Sequence, residues 1–370
     1  ISNNVRPGAG AVNNGNITFT EDAQLILSAD IFLGGCVGIT EASAVDGMTN
    51  NGNIVFKGDV LQWTTTSTNA ETGEVTESKS GGNFRAGGVS GYITAAHKNL
   101  VNNGKFEVTS DCLIEGSPQI GGVVGDIYNK ATDAVYDTYT NNGEIIYNAH
   151  NKGALHLGGI TSDPYCATMQ NMTNNGAISL NGIYDGSVKV AGCFGYHEKE
   201  LLILKNCTNN APITVLGESN STTALYVGGV CLYVQGKGPH NNVYNSEKGD
   251  ILVNLSKCVS NVTVAGITNK FQDVSNDVVN HGDITVKGNY DKAVYVTGFC
   301  YASNNYVRTR HGNTGNFLVD AKIGGTLCMG GMYNFGEYGK NFLDCVFCFL
   351  YLNFSDSVLG NHVNAGQNRG

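Results

Sequence analysis

Large, mostly apolar residues alternate with mixed ones after each copy of a short repeated tripeptide, Asn-Asn-Gly or a variant of it. In one copy Ile54 and Phe56 flank Val55, and in another Ile178 and Leu180 stand two positions apart. In other copies the residue between the two large positions is Thr, Ser, Glu or Leu. Such a mixed set is expected on the opposite face of the strand. This period of two predicts a short β-strand with one buried face.

The tripeptide recurs along most of the chain, and the strand recurs with it. The underlying unit is about 33 residues long and is lengthened in places by loops. Since Asn and Gly tolerate positive φ, each copy suits a corner between strands, where stacked Asn side chains can hydrogen-bond along the axis. We predict structural turns at Asn14, Gly15, Asn51, Gly52, Asn103, Gly104, Asn142, Gly143, Asn175, Gly176, Gly282 and Gly315.

A second marker, usually a Gly-Gly pair, follows each tripeptide. Apolar residues flank it on both sides, as Ile120 and Val123 flank the pair at 121–122. We predict a second strand of each unit at the Gly-Gly pair. A third strand is predicted before the tripeptide, where Leu100 and Tyr139 fall in register. One unit cannot bury its own apolar face, so the units must stack. The sequence therefore predicts an all-β fold, an elongated parallel β-helix (β-solenoid) of about nine rungs.

Two stretches resemble a known repeat. The pattern apolar-Gly-Gly-apolar-x-Gly at residues 120–125, and Asn-x-x-Asn-x-Gly-x-Ile at residues 171–178, are similar to the GLUG-type repeats of bacterial surface and secreted proteins. The resemblance covers roughly residues 11 to 336. It implies an extracellular or bacterial cell-surface location and a role in adhesion or surface display, sometimes beside an enzyme domain. It carries over no catalytic residue.

The repeats divide the chain into two parts. Residues 1–336 are predicted to form the solenoid, interrupted at 64–83 by a polar Ser/Thr-rich insertion that should project as a hairpin or loop. Trp63, the only tryptophan, stands at its base and is a candidate binding residue. Residues 337–370 are predicted to be a C-terminal cap or the start of further rungs.

Composition narrows the class of protein. The 50 glycines keep no three-residue period and there are only five prolines, which excludes collagen. With 31 acidic residues against 22 Lys and Arg, a nucleic-acid partner has no electrostatic support. No segment approaches the roughly 18 consecutive apolar residues needed to cross a bilayer, so we expect no transmembrane segment.

Arg308 and Arg310 are the first candidates for chemistry. On a strand both side chains would share one face, where two guanidinium groups can bind the carboxylates of an acidic polysaccharide or serve a lyase. We favour the other interpretation, a solvated pair on a loop. A lyase of this kind also needs clustered acidic calcium ligands, and no such motif is present. We expect no cofactor or metal.

Paired carboxylates for glycoside hydrolysis are harder to assign. Asp126, Asp133 and Asp137 lie close in the chain, and Asp163 and Asp185 fall near later corners. In a solenoid any of them can approach a neighbour one rung away, so spacing alone does not identify a pair. We interpret each as a turn residue.

Several cysteines occupy apolar columns of the repeat. Cys36, Cys193 and Cys207 replace Val, Ile, Met or Leu, which predicts small buried hydrophobic side chains. Cys345 and Cys348 form a C-x-x-C without a second pair, which is a poor zinc or redox motif.

These observations favour a non-catalytic extracellular surface protein: an adhesin, a structural stalk or a fibre component. Its partners would be glycans or a host or cell surface, and identical copies would assemble as a homo-oligomer or fibre. The alternative is a polysaccharide-active enzyme, a lyase or glycoside hydrolase, on the same scaffold.

Overall fold

The chain is a stack of β-strand rungs. The computed structural model describes residues 9–41, 44–109, 111–196, 202–234, 239–271, 275–303, 308–336 and 350–352. Within them each strand pairs in parallel with its equivalent one turn away, apart from one antiparallel hairpin. This confirms the predicted all-β solenoid, with turns roughly 35 residues apart. None of the described residues forms a helix long and apolar enough to span a membrane.

In the described residues the strands form five sheets along the stack. Sheet A precedes the tripeptide and contains Ala11–Asn13, Asp46–Asn50, Lys98–Asn102, Val135–Asn141, Thr168–Asn174, Ile203–Asn209, His240–Asn245, Ser275–Asn280 and Arg308–Asn313. Sheet B follows the tripeptide and contains Ile17–Phe19, Gln24–Leu27, Ile54–Phe56, Asp59–Thr68, Val75–Ser80, Phe106–Val108, Leu113–Ile114, Ile145–Tyr147, His150–Asn151, Ile178–Tyr184, Ile213–Ser219, Ile251–Cys258, Ile284–Tyr290, Phe317–Ile323 and Leu350–Leu352.

The other three sheets lie on either side of the Gly-Gly marker. Sheet C precedes it and contains Ile31–Gly34, Phe84–Gly87, Pro118–Gly121, Leu155–Gly158, Val188–Ala191, Leu225–Gly228, Val262–Ala265, Val294–Thr297 and Leu327–Gly330. After the marker, sheet D contains Val37–Thr40, Ser90–Ile93, Val124–Tyr128 and Thr161–Tyr165, and sheet E contains Tyr233–Val234, Thr268–Phe271, Cys300–Ser303 and Tyr333–Gly336.

The sequence predicted one strand at the Gly-Gly segment, and the structure differs. The segment forms two strands in different sheets, since the pair turns the chain sharply between them. A Cβ atom on Gly121 would overlap the carbonyl oxygen of Val124, which shows how tight the turn is in this rung. Sheets C and D therefore meet at an angle and bring their outer faces together.

Each rung encloses two hydrophobic cores instead of one. Phe106 and Leu157 belong to the core between sheets B and C. Leu100 and Val123 belong to the core between sheet A and sheets D and E. The chain passes from one core to the other twice in each rung, once at the tripeptide and once at the Gly-Gly corner.

A column of buried asparagines lies at the first of these passages. It is formed by the first Asn of each tripeptide, and its fully buried members are Asn50, Asn102, Asn141, Asn174, Asn209, Asn245, Asn280 and Asn313. The Nδ2 atom of Asn141 donates to Oδ1 of Asn174 (2.9 Å) and to the Gly143 carbonyl (2.9 Å), while the Gly143 N–H donates back to Oδ1 of Asn141 (3.3 Å). We call this column the asparagine ladder.

The second glycine of each Gly-Gly pair faces this ladder across the interior. A Cβ atom on Gly159 would overlap Cγ of Asn174 and the carbonyl oxygen of Gly192. The same contact recurs between Gly122 and Asn141. The two sequence markers are therefore partners, because glycine leaves the space that the buried amide fills.

The predicted corner residues form a second, outer column. Asn51 donates to Oδ1 of Asn14 (2.8 Å), and Asn142 donates to Oδ1 of Asn103 (2.8 Å), both at the surface. Asn175 continues the column. Hydrogen bonding of Asn along the axis, expected from the sequence, occurs at the surface as well as in the interior.

The 64–83 insertion forms a hairpin, with Thr64 opposite Lys79 and Thr68 opposite Val75. At the other end of the chain, Leu350–Leu352 pairs in parallel with residues 317–319 and continues sheet B. The rest of the 337–370 segment, with Cys345 and Cys348, lies outside the described residues.

His97 is fully buried and should make the fold acid-sensitive. The Val45 N–H donates to its Nδ1 (2.9 Å), so Nε2 carries the ring proton and donates to the Thr40 hydroxyl (2.5 Å). Burial lowers the pKa of His97 to about 4, below its unfolded value of about 6.5. A group of this kind stabilises the fold above the unfolded pKa, and that stability is lost as the pH falls towards the folded pKa.

We expect His97 to account for about 3 kcal/mol of lost unfolding free energy between pH 7 and pH 4. Denaturant titrations of the unmodified chain and of His97→Gln at both pH values measure this. The glutamine variant should lose about 3 kcal/mol less over the same interval. Equal losses in the two proteins would contradict the assignment.

Candidate binding surface

A row of aromatic side chains follows the outside of the Gly-Gly corner. The outward residues of sheet C face those of sheets D and E there, because the corner folds the chain back. Phe32 of sheet C lies 5.3 Å from Tyr92 of sheet D, measured between ring centroids. The row, which we call the aromatic edge, comprises Phe32, Tyr92, Tyr128, Tyr165, Tyr196, Tyr226, Tyr233, Tyr295 and Tyr301.

The rings of the aromatic edge contact one another in separate groups, some between adjacent rungs and some across the corner of one rung. Tyr128 and Tyr165 stack in register on adjacent strands of sheet D, 4.8 Å apart and 19° from parallel. Tyr233 lies between Tyr196 (5.3 Å) and Tyr226 (6.2 Å) with its ring edge-on to both. Most of these side chains are half-buried, but Tyr128 is 40% exposed. The edge thus presents preordered aromatic surface over successive rungs.

Cationic groups are interleaved with the rings. The Arg85 guanidinium lies 5.1 Å from the Tyr92 ring centroid and 5.5 Å from that of Phe32. Lys189 places its ammonium 3.2 Å from the Tyr196 ring, and Lys130 lies over Tyr128 at 5.4 Å. These are cation–π contacts, which hold the rings and the charges in fixed positions.

Arg85 also binds two carboxylates. Its Nε donates to Asp126 (2.7 Å) and its Nη1 to Asp30 (2.5 Å). Burial and the adjacent Asp163 together raise the pKa of Asp126 to about 7, although Arg85 opposes both effects. Asp126 and Asp163 occupy the same column on adjacent strands of sheet D.

The carboxylates considered in the sequence therefore separate into two groups. Asp126 and Asp163 come together in the aromatic edge. Asp137 instead accepts from Gln170 and Asn171 on sheet A, and Asp185 binds His150 at 2.8 Å near a sheet B corner. Asp133 lies in a surface turn.

Arg308 and Arg310 lie away from this edge, on the last strand of sheet A. Arg310 is exposed, has φ 53°, and binds Asp277 of the preceding rung at 2.5 Å. A left-handed residue interrupts the strand alternation on which the predicted shared face depends. The backbone of Arg308 pairs with Ser275, and its side chain is outside the described set.

Trp63 lies at the base of the hairpin, opposite Ser80, and its side chain is 45% exposed.

Cys193 and Cys207 are free and buried, as their columns indicate, whereas Cys36 is half-buried and its thiol donates to the Thr49 carbonyl (3.3 Å). In the described parts of the chain, no group of three or more His, Cys, Asp and Glu side chains could hold a metal ion.

Sequence reasoning missed the aromatic edge, although a signal for half of it exists. The position four residues after the second glycine of a Gly-Gly pair holds Tyr92, Asp126, Asp163, Tyr196 and Tyr233.

Comparison of the chain with protein family models, with curated proteins and with solved structures finds no match.

Proposed function

We propose that this chain is a non-catalytic extracellular surface protein, an adhesin or stalk, that binds an extended glycan along the aromatic edge. The observation that carries the proposal is that partly exposed rings meet between adjacent rungs, stacked at Tyr128 and Tyr165 and edge-to-face at Tyr196 and Tyr233. Strands in a sheet are about 4.8 Å apart, so a linear polymer lying along the axis meets a ring or a charged group at every rung.

The chemistry of the edge suits a sugar chain. The apolar face of a pyranose packs on an aromatic ring, and its hydroxyl groups hydrogen-bond to flanking polar side chains. Arg85, Asp126 and Lys189 supply such groups beside the rings. The rings are held by their neighbours before any ligand arrives, which lowers the entropic cost of binding. The resemblance to GLUG-type repeats supports a location outside the cell.

The test is binding of the purified chain to a panel of neutral and acidic polysaccharides. Replacing Tyr128 and Tyr165 together by Ala removes the most exposed stacked pair and should weaken binding at least tenfold, at about 1 kcal/mol per ring. Tyr244→Ala is the matched control, because Tyr244 is a half-buried outward tyrosine on sheet A. It should bind as the unmodified chain does. No binding across the panel, or equal losses in both variants, would overturn the proposal.

The second candidate is a polysaccharide-active enzyme. It is favoured by the pairing of Asp126, whose pKa is raised to about 7, with Asp163 in the same column. A carboxylic acid that stays protonated near neutral pH beside a second carboxylate is the pair that glycoside hydrolysis uses. Release of sugar fragments from the same panel by the unmodified chain, abolished in Asp126→Asn, would replace the non-catalytic proposal.

A further inference from the structure

The hairpin of the 64–83 insertion projects from the solenoid and contacts it through Lys79, whose ammonium donates to the Glu115 carboxylate at 2.5 Å. Every side chain from Thr64 to Ser80 is exposed, and residues 63–68 pair only with residues 75–80. An isolated two-stranded ribbon is marginally stable in water, whereas a third strand stabilises it. The hairpin is therefore incomplete as a sheet.

The outgoing strand has an open edge with a defined set of backbone groups. The Asn69 N–H donates to the Glu74 carbonyl (2.8 Å), which makes these two a hydrogen-bonded pair. Such pairs alternate along an antiparallel ribbon, so Thr64, Thr66 and Thr68 fall in the non-hydrogen-bonded pairs. Their N–H and C=O groups point away from the returning strand, towards the open edge.

The two edges of the hairpin differ in protection. The returning strand carries Glu77 and Lys79, charges of the kind that discourage strand addition at an edge. The outgoing strand from Thr64 to Thr68 consists of five hydroxyl residues, with no charge and no proline. Threonine favours strands and pairs well with itself across them. The outgoing edge is thus the open one.

We propose that the outgoing strands of two copies of this chain pair antiparallel about a two-fold axis at Thr66. In this register Thr66 faces its own counterpart and Thr64 faces Thr68, so all residues with outward backbone groups meet one another. Three such pairs exchange six hydrogen bonds, since each antiparallel pair of this type makes two. The result is a four-stranded sheet with a self-complementary, isologous interface.

The register depends on the two-fold axis lying at Thr66. A shift by one residue would place outward backbone groups opposite inward ones, and no ladder would form. Charged side chains are absent from the outgoing strand, so none faces a like charge across the axis. A second copy is therefore the occupant that matches this edge. The proposal is independent of the proposed glycan binding, although a dimer would present two aromatic edges.

Cysteine cross-linking of the full chain tests the register. In a hydrogen-bonded antiparallel pair the Cα atoms are about 5.5 Å apart, within disulfide range. After mild oxidation, Thr66→Cys should yield at least ten times more covalent dimer than the unmodified chain. Glu77→Cys is the matched control, because Glu77 lies directly opposite Thr66 on the protected strand. Equal yields from the two variants would overturn the proposal.

Sedimentation of proline variants tests the hydrogen bonding. Thr66→Pro removes an N–H that the hairpin itself does not use, and proline is tolerated at such an edge. It should raise the dimer dissociation constant at least tenfold, while Glu77→Pro, the equivalent change at the other edge, leaves it unchanged. An unmodified chain that stays monomeric at every concentration, or equal effects of the two prolines, would refute the dimer.

Discussion

Replacing Asn174 by Ala is expected to lower the free energy of unfolding by about 4 kcal/mol. The side chain takes part in four hydrogen bonds: with Asn141 (2.9 Å), with Asn209 (2.8 Å), and with the N–H (3.3 Å) and carbonyl (3.0 Å) of Gly176. Alanine leaves these partners buried without a replacement, and each unsatisfied group costs about 1–3 kcal/mol. Denaturant unfolding of the two proteins measures the difference.

The adjacent residue supplies the control. Asn175 makes the same kind of rung-to-rung hydrogen bond, to Asn142 at 2.8 Å, but it lies at the surface, where water can replace the lost partner. Asn175→Ala should cost less than about 1 kcal/mol. If the two alanine variants lose similar stability, burial of the ladder is not what makes it important.

Gly159→Ala is expected to cost at least about 3 kcal/mol. Its added methyl group would overlap Cγ of Asn174 and the carbonyl oxygen of Gly192, and neither can move without disturbing the ladder or sheet pairing. The penalty arises from lack of space, because Gly159 has no positive φ. The same unfolding measurement gives its size.

Gly15→Ala is the matched glycine control. Gly15 belongs to the first rung, and a Cβ atom there meets nothing closer than Oδ1 of Asn13 at 3.6 Å, an ordinary contact. We expect a change below about 1 kcal/mol. A loss at Gly15 as large as that at Gly159 would mean that the solenoid rejects alanine for reasons other than the close approach to the ladder.

The ladder also explains how the rungs keep their register. A buried amide must find partners, so a strand that slips by one residue leaves Asn side chains unsatisfied in the interior and moves apolar residues to the surface. Columns of Val, Ile and Leu alone would penalise a slip of a strand along its own length less strictly, because apolar contacts are not directional. The hydrophobic cores supply most of the burial, and the ladder specifies the alignment.

The sequence was sufficient to predict the solenoid, because alternation after the tripeptide shows which face of each strand is buried. Ile54, Ile178 and their equivalents are all inward, in the predicted columns. The ladder could also have been found, since Asn stands two residues before the last position of every tripeptide copy from Asn13 to Asn313 except one, where Asn245 stands four residues before Gly249. The hydrogen bonding was expected, but the burial of this column was missed, because a recurring polar position next to glycine is typical of a surface turn.

The aromatic edge was less accessible to sequence reasoning. Its rings come from several columns on opposite sides of the Gly-Gly corner, and Tyr128 and Tyr165 stand two residues beyond the column of Tyr92. Their meeting depends on the angle at which the corner turns. Asp126 and Asp163 illustrate this, because they are far apart in sequence and adjacent only through the pairing of sheet D. The effect of Arg85 on both the rings and the carboxylates likewise follows from three-dimensional packing.

A double-mutant cycle between Gly159 and Asn174 tests most directly whether the two sequence markers meet inside each rung. Removing the Asn174 side chain vacates part of the space that a methyl group at position 159 would need. The combined loss in Gly159→Ala/Asn174→Ala should therefore fall short of the sum of the single losses by at least about 1 kcal/mol. Losses that add within about 0.5 kcal/mol would contradict the contact, and with it the arrangement of the rungs described here.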